Sequence, residues 1–385
     1  MQQKHPIRAI VVGGGIGGIT AAIALRQAGV EATVYERAGE LREVGAGLAV
    51  WQNAVYALGR LGLADKVRAQ AVPDLGGALR SWRGETLVDL TPLNRGAGAP
   101  ALSLVIHRAD LLAILREELG AAQVRLGAEL VGFSQDAGGV TARFADGHEA
   151  RGDLLVGADG LGSAVRAQLF GRQKPRYSGY SAWRAVVEFD PALARAAAGE
   201  TWGRGARFGI APMSGGRVYW FASLNSPAGA RVPEGRRKAT LLERFRGWHA
   251  PVEALIDATD EAAILHHDIH DRPPLRRWSV GRVTLLGDAA HPMTPNLGQG
   301  ACQAIEDGLA LADALAAGGE IAAALRGYEA RRVGRTSAIV RQSRQVGWVG
   351  QWQSAPACEL RDFLAKRLLA RLQARQIDRL VHYRV

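Results

Sequence analysis

The chain has 385 residues, a length that suggests two or three structural units. Its hydrophobic fraction of 48% and charged fraction of 22% are those of a globular protein and exclude a disordered or fibrous chain. Its two cysteines, Cys302 and Cys358, are too few for a disulfide scaffold or a cluster of metal-binding thiolates. A reducing compartment is therefore expected.

The net charge of +11 comes mostly from the C-terminal region. Between positions 326 and 385, thirteen Lys or Arg stand against four acids, so the rest of the chain is close to neutral. A solvated or interdomain helix face is the favoured interpretation of this segment, ahead of an anionic membrane surface and of nucleic acid. We expect no nucleic-acid partner, no stable membrane association, and a monomer or homodimer.

The N-terminus imitates a secretory signal, because Lys4 and Arg8 precede an uncharged run at residues 9–25. Five glycines interrupt that run, which makes it a poor apolar helix. No apolar stretch elsewhere reaches the roughly 18 to 20 residues that span a bilayer. The sequence therefore predicts a soluble, cytoplasmic protein.

A glycine-rich turn connects the first predicted strand, residues 8–12, to a predicted helix at residues 19–28. Gly13, Gly15 and Gly18 fit the pattern G-x-G-x-x-G. The first glycine permits the tight turn, the second lets the backbone approach a pyrophosphate, and the third lets helix and strand pack closely. The pattern predicts a Rossmann-type dinucleotide site.

A carboxylate ends the second predicted strand, residues 32–35. Glu36 lies eighteen residues after Gly18, where an acid accepts hydrogen bonds from the hydroxyls of an unphosphorylated ribose. The N-terminus of the preceding helix would present free N–H groups to the phosphates. This segment leaves open whether the dinucleotide is NAD or FAD.

Two further predicted strands run into glycine and aspartate. Residues 153–156 lead into G-A-D-G, which contains Asp159, and residues 283–286 lead into G-D-A-A-H-P, which contains Asp288. The second motif is followed by P-N-L-G-Q-G at residues 295–300. Such strand ends are where a parallel sheet binds its ligand, although each motif alone is also compatible with a turn capped by aspartate.

The middle third of the chain contains strand-like runs at residues 180–189, 207–212 and 217–224, separated by short loops. These runs predict an antiparallel sheet. From residue 301 to the end the chain is predicted to be helical, with breaks near Gly318 and Pro356.

Together, the three glycine and aspartate motifs resemble those of the class A flavoprotein monooxygenases, the FAD hydroxylases with the p-hydroxybenzoate hydroxylase fold. The motifs occur in the family's order and spacing over nearly the whole chain. The resemblance is closest to FAD-dependent urate hydroxylases, whose corresponding stretch is similar to R-F-G-I-A-P at residues 207–212. It implies FAD as cofactor, NADH or NADPH as cosubstrate, and hydroxylation of a substrate with O₂ through a flavin C4a-hydroperoxide.

The resemblance also assigns cofactor-binding residues. Glu36 would contact the adenosine ribose and Arg37 the AMP half, whereas Asp159 would serve both FAD and NAD(P)H. Asp288 would hold the ribityl chain. The residues expected near the isoalloxazine or the ribityl and pyrophosphate groups are Gly47, in the run 44–47, and Arg108, Gly298, Gln299 and Gly300.

The expected catalytic residues are Arg207, Tyr219 and Gln299. In urate hydroxylases, residues matching Arg207 and Tyr219 face the planar substrate, and an arginine there would bind charge that develops on the ring. A salt-bridged sheet residue is the alternative for Arg207. Arg184 stands where urate hydroxylases carry asparagine, so we expect a small planar anionic ring, with its identity left open.

The resemblance implies an α/β fold with a Rossmann-type FAD-binding domain, an inserted antiparallel-sheet substrate domain and a helical C-terminal region. No metal is expected: His266, His267 and His270 fall on a connecting strand, where structural roles are favoured over a metal site. The expected division of the chain is an FAD-binding domain at 1–75, 100–175 and 280–320, a substrate domain at 76–99 and 176–279, and a C-terminal region at 321–385.

Two alternatives remain open at this point. The first is an epoxidase or another flavin oxidoreductase of the same fold that acts on a larger apolar substrate, which would need an apolar channel. The second is a peripheral membrane or binding protein that uses the C-terminal helix, where Leu360, Phe363 and Arg367 share one helical side.

Overall fold

The computed structural model describes residues 6–40, 46–74, 76–91, 101–369 and 380–385. Its central sheet has five parallel strands. These are β1 (Arg8–Val12), β2 (Glu31–Tyr35), β8 (Val124–Arg125), β12 (Leu154–Gly157) and β18 (Val283–Leu285). In the order β18-β12-β1-β2-β8, the three strands that precede the sequence motifs lie side by side, so the motifs meet at one edge of the sheet.

A second, larger sheet has seven strands and is antiparallel except where its fifth and sixth strands pair in parallel. Its strands are β5 (Ala78–Ser81), β6 (Thr86–Asp89), β13 (Arg176–Glu188), β14 (Gly199–Trp202), β15 (Ala206–Pro212), β16 (Arg217–Asn225) and β17 (Leu265–Asp271). They follow the order β17-β13-β16-β15-β14-β5-β6. The predicted antiparallel sheet is thus confirmed.

Two three-stranded sheets within the described ranges were not predicted from the sequence. They consist of β3 (Gly47–Trp51), β4 (Val72–Pro73) and β7 (Ser103–His107), and of β9 (Leu130–Asp136), β10 (Gly139–Phe144) and β11 (Glu149–Gly152). The helices are α1 (Ile16–Gln27), α2 (Gln52–Arg60), α3 (Ala64–Gln70), α4 (Arg108–Leu119), α5 (Ala164–Phe170), α6 (Pro191–Ala196), α7 (Arg237–Arg244), α8 (Val252–Ala258), α9 (Gly300–Ala316), α10 (Ile321–Gly350) and α11 (Ala355–Leu364).

Helices α1 and α9, which follow the first and the last motif, pack closely against each other. A Cβ on Gly308 would lie 2.9 Å from the Cα of Ala21, and a Cβ on Gly17 would lie 3.0 Å from the Cβ of Ala304. Because small residues stand at the contact, the two backbones approach far more closely than larger side chains would allow. This packing brings the glycine turn and the 295–300 turn to the same region.

The two faces of the seven-stranded sheet differ in chemistry. Trp183, Phe208 and Trp220 lie on one face, in an apolar cluster with residues of α7 and α8. Side chains alternate along a strand, so Arg207 points to the opposite face. There it donates a hydrogen bond to Asn296 of the 295–300 turn. The polar face of this sheet therefore turns to the nucleotide-binding part of the molecule.

The C-terminal region is helical as predicted where the structure describes it, with breaks at residues 317–320 and 351–354. Leu360 and Phe363 of α11 are each 54% exposed, and the guanidinium of Arg367 lies 5.3 Å from the centre of the Phe363 ring. These side chains face solvent in the described structure. None of the helices that can be described is both long and apolar enough to cross a membrane.

These features confirm the expected fold class, an α/β protein with a Rossmann-type parallel sheet, an antiparallel sheet and C-terminal helices. The exact domain division stays a prediction. The sheet membership agrees with it, since β5 pairs with β14 of residues 199–202, and β6 joins the same sheet through β5.

Candidate functional site

The glycine turn after β1 has the three environments that a dinucleotide fingerprint requires. Gly13 has a φ of +111°, and a Cβ there would lie 2.4 Å from the carbonyl oxygen of Ala158. A Cβ on Gly18 would lie 1.9 Å from the carbonyl oxygen of Gly13, whereas no atom lies within 4 Å of a Cβ on Gly15. The open side of Gly15 faces the place where a pyrophosphate would approach the turn.

Glu36, at the end of β2, is tied to this turn. Its Oε2 accepts a hydrogen bond from the Gly14 N–H at 2.6 Å, and its Oε1 accepts one from the Ala38 N–H at 2.9 Å. Each carboxylate oxygen has a further lone pair, so both remain able to accept from ribose hydroxyls. Arg37 follows as an exposed side chain at the same edge.

Asp159, of the second motif, acts as a helix cap. Its Oδ2 accepts from the N–H groups of Ala164 and Val165, at 2.7 and 3.1 Å, at the start of α5. Its Oδ1 is buried and has no hydrogen-bond partner among the described residues. Desolvation raises the pKa of Asp159, and its hydrogen bonds oppose this rise. Oδ2 thus caps α5, as the turn alternative expected, and Oδ1 remains available to a ligand.

Asp288, Arg108 and Gly300 come together beside the third motif. The Oδ1 of Asp288 lies 4.0 Å from the position of a Cβ on Gly300, the first residue of α9. Although Asp288 is accessible to solvent, desolvation by the surrounding protein raises its pKa, whereas His291 and Arg108 lower it. A carboxylate and a guanidinium from separate elements are therefore near each other, as the resemblance implied for the ribityl and pyrophosphate groups.

The 295–300 turn is glycine-rich for a local reason. Gly298 has a φ of +61°, and a Cβ there would lie 3.0 Å from Nε1 of Trp51. That indole nitrogen is buried and has no hydrogen-bond partner within the described chain. No sequence pattern assigned a role to Trp51. Its orphaned N–H and the bare backbone of Gly298 form a surface that suits a flat ring.

Gln299 follows Gly298, but its side chain points into the protein interior. It is 1% exposed, and its Oε1 accepts from Nδ2 of Asn53 at 3.1 Å and from Nε2 of Gln303 at 2.9 Å. Its Nε2 is left without a partner among the residues described. The structure therefore places the amide of Gln299 behind the turn, and its catalytic role stays a prediction.

A buried ionic cluster, not predicted from the sequence, lies behind the third motif. Asp307 accepts from the Gly287 N–H at 3.0 Å, contacts Nε2 of His291 at 2.6 Å, and accepts from Nε of Arg332 at 2.7 Å. Glu306, its neighbour on α9, pairs with the same arginine. Burial alone would raise the pKa of Asp307, but His291 and Arg332 lower it to about 2. The sequence signal for this cluster is the adjacent pair Glu306 and Asp307 within the mostly apolar helix α9.

Arg207 is only 1% exposed, and all of its guanidinium nitrogens donate within the protein. Nε donates to Oε1 of Gln351 at 3.1 Å, Nη1 to Oε1 of Glu200 at 3.0 Å, and Nη2 to Oδ1 of Asn296 at 2.6 Å. These bonds connect the seven-stranded sheet to the end of α10 and to the 295–300 turn. The salt-bridged role considered from the sequence is thus present in the structure.

Tyr219 lies on the same face of the sheet, against the backbone of β3. A Cβ on Gly47 would lie 2.3 Å from Cγ of Tyr219, so a larger residue at that position would displace the ring. Burial raises the pKa of Tyr219, and Arg184 partly offsets the rise, so the phenol is protonated at neutral pH. The hydroxyl makes no hydrogen bond within the described chain, and its role towards substrate stays a prediction. Residues 44 and 45 of the predicted flavin loop lie outside the described residues.

The histidines of β17 are separated by the alternation of the strand. His266 stacks on Trp183 with ring centres 3.7 Å apart, and His270 lies 5.5 Å from the ring of Tyr177. His267 points to the opposite face from His266. No group of three potential metal ligands was found in the described ranges.

Four features fit FAD: the open turn at Gly15, the carboxylate of Glu36, the pair Asp288 and Arg108, and the bare backbone of Gly298 beside Trp51. A family model described as an FAD binding domain matches residues 7–343. The chain therefore belongs to the FAD-binding domain family, among the class A flavoprotein monooxygenases.

Relatives of the chain carry the names of flavin monooxygenases and related enzymes. The chain is 45% identical to the aurachin C monooxygenase/isomerase of Stigmatella aurantiaca over 365 residues, 95% of each chain. It is 40% identical to the FAD-dependent urate hydroxylase of Klebsiella pneumoniae subsp. pneumoniae over 347 residues, 88% of this chain and 89% of that one. It is 38% identical to the chloroplastic zeaxanthin epoxidase of Oryza sativa subsp. japonica over 355 residues, 86% of this chain but 54% of that protein.

A solved structure supports the same conclusion. Klebsiella pneumoniae HpxO, complexed with FAD and uric acid, matches with a TM-score of 0.90 and 35% identity, over 97% of this chain and 96% of that chain. The resemblance predicted from the motifs is confirmed. The protein is an FAD-dependent monooxygenase.

Proposed function

We propose that the enzyme uses NADH or NADPH and O₂ to hydroxylate a small planar, anionic aromatic or heterocyclic compound. The contact between Tyr219 and Gly47 carries this proposal, because it brings the ring of Tyr219, whose hydroxyl has no partner among the described residues, against a strand of the FAD-binding part. A flat ring bound there would lie between the flavin and the polar face of the sheet.

Bound FAD would supply the transfer of oxygen once it is reduced. The protein's own residues then have three tasks. Tyr219 would orient the ring by a hydrogen bond, and the adjacent ring of Phe221, with centres 6.2 Å apart, would help to exclude water. Arg207 and Asn296 would hold the 295–300 turn in place, and Gln299 would anchor the same turn from behind.

NAD(P)H would bind only transiently. The sequence contains one G-x-G-x-x-G unit followed by an acid, and FAD uses it. We expect no nicotinamide to copurify and the oxidation of NAD(P)H to be stimulated by substrate. Stoichiometric, tight binding of NAD(P)H to the FAD-loaded protein would contradict this point.

Epoxidation of a larger apolar substrate is the second candidate, favoured by the identity with a plant zeaxanthin epoxidase. The charged and hydroxyl-bearing face around Arg184 and Tyr219 argues against it, because a long apolar molecule would leave those groups desolvated and unpaired.

A substrate screen tests the two candidates together. Purified holoprotein would be mixed with purines, hydroxybenzoates, quinolones and carotenoids, and NADH and NADPH oxidation would be followed. We expect stimulation by a small anionic ring and a product heavier by one oxygen atom. Stimulation only by an apolar polyene, with an epoxide as product, would establish the alternative.

A further inference from the structure

Arg184 lies at the centre of the sheet face that turns to the FAD-binding part. In the antiparallel ladder Arg184 of β13 pairs with Phe221 of β16, and Phe221 pairs with Gly209 of β15. These three residues form one row across the sheet. One neighbouring row contains Arg207, opposite Ser223, and the other contains Tyr219. The middle row is therefore adjacent to both.

Distances along the strand separate the roles of the two arginines. A strand rises about 3.3 Å per residue, so the rows of Arg207 and Tyr219, four residues apart, are about 13 Å apart. Arg184 stands only one row and one strand from Tyr219, a diagonal separation of about 7 to 8 Å. Of the two arginines, Arg184 is therefore the one near Tyr219, and its charge acts on the Tyr219 phenol.

The two arginines also differ in their partners. The guanidinium of Arg207 is buried and donates to Gln351, Glu200 and Asn296. Arg184 is half-buried and has neither a hydrogen bond nor an ion pair with any residue that the structure describes. Its donors are therefore available in a region where the other arginine's donors are all used.

Among the described residues, none provides a compensating negative charge beside Arg184. Phe221 of β16 and Leu265 of β17 stand on either side of it. The titratable groups that interact with it are Tyr219 and His267. Burial is the main cause that lowers the pKa of His267, and the charge of Arg184 lowers it further. His267 and Tyr219 are therefore both neutral at pH 7. A half-buried cation without a counterion is costly unless a ligand supplies one.

We propose that Arg184 selects the substrate by binding an ionised acid group on it, while Arg207 is a positioning residue for the 295–300 turn. This inference rests on the proposed function and deepens it to an aromatic or heteroaromatic carboxylate. The planar guanidinium fork fits a carboxylate with two parallel hydrogen bonds, and the ring would then extend along Phe221 to Tyr219.

Matched pairs of acids and amides test the proposal by binding alone. Salicylate and salicylamide, 4-hydroxybenzoate and 4-hydroxybenzamide, and quinaldate and quinaldamide would be titrated into the FAD-loaded protein, with flavin absorbance as the readout. In the wild type we expect the acid of at least one pair to bind about ten-fold more tightly than its amide. Arg184→Gln should weaken that acid by about 10- to 100-fold and leave the amide within about two-fold.

Two further variants control the experiment. Arg231→Gln removes an exposed arginine that pairs with Asp268 on a loop near the same sheet, and it should leave the acid preference unchanged. Arg184→Lys keeps the charge but loses the fork, and it should give an intermediate affinity. If Arg184→Gln fails to retain FAD, the Lys variant decides: a reduced acid preference supports the proposal, and an unchanged one overturns it.

The outcomes separate this inference from the proposed function. A wild type without any acid preference, or a preference that survives in Arg184→Gln, overturns the role of Arg184. An acid preference that disappears with Arg184, in a protein that forms no hydroxylated product from any of these acids, leaves recognition standing and contradicts the proposed hydroxylation.

Discussion

Nη2 of Arg207 donates to Oδ1 of Asn296 at 2.6 Å, and this bond joins the substrate-facing sheet to the turn beside the flavin site. Asn296 also donates to Oγ1 of Thr294 and to the carbonyl oxygen of Ser343 on α10, both at 2.8 Å. The turn is therefore held from the sheet on one side and from a helix on the other.

Arg207→Gln should lower the stability of the fold as well as turnover. The change removes the hydrogen bonds that a guanidinium only 1% exposed donates to Gln351, Glu200 and Asn296, for which we expect a loss of about 2 to 4 kcal/mol. Urea denaturation of the FAD-loaded protein measures it. Arg217→Gln, which breaks a pair with Asp110 whose side chains are 34% and 31% exposed, should cost less than about 1 kcal/mol. Equal stability of the two variants would contradict the positioning role of Arg207.

Glu36→Ala should weaken FAD binding by about 1 to 3 kcal/mol, because it removes a charged acceptor for the ribose and the partner of the Gly14 N–H. Titration of the apoprotein with FAD, followed by flavin fluorescence, gives the affinity. Glu31→Ala, at the exposed start of the same strand, is the matched control and should bind FAD as the wild type does. An unchanged affinity in Glu36→Ala would remove Glu36 from the site.

Asp307→Asn should destabilise the protein at neutral pH by about 3 kcal/mol, because Arg332 loses one of its two buried carboxylate partners. The pKa of Asp307 is about 2 in the folded protein, below the usual value of about 3.9 for an unfolded chain. Its contribution is therefore complete above about pH 4 and is lost as the pH falls towards 2.

The stability difference between wild type and Asp307→Asn should shrink over that acid range. Chemical denaturation at pH 7, 5, 4 and 3 checks this trend. Asp313→Asn changes a partly exposed acid on the same helix, paired with Arg60, and serves as the control. A difference that stays constant down to pH 3 would show that the carboxylate is not held ionised by its neighbours.

Both cysteines should be unreactive in the native protein. Cys302 and Cys358 are buried, and burial raises the pKa of Cys302 to about 12 and also raises that of Cys358. Because the thiolate is the reactive species, a thiol-specific reagent at pH 8 should label neither residue until the protein is unfolded. Rapid labelling of Cys302 in the folded protein would mean that the 295–300 turn opens in solution.

The sequence predicted the parts of this molecule that depend on local pattern. The strand at residues 8–12, the roles of Gly13 and Gly18, and the helical C-terminal region follow from glycine positions and from hydrophobic periodicity. The inward direction of the Gln299 amide and the cluster of Asp307 with Arg332 depend on how α9 packs against α10. The row position of Arg184 depends on strand register, which a single sequence does not specify.

Isotope labelling of the product tests the central claim most directly. The substrate identified in the screen would be converted under ¹⁸O₂ with NAD(P)H, and the product would be analysed by mass spectrometry. An FAD-dependent monooxygenase that hydroxylates a planar ring should insert one labelled oxygen atom per product, only with FAD bound. A product without label, or product formation that continues after FAD is removed, would contradict the account.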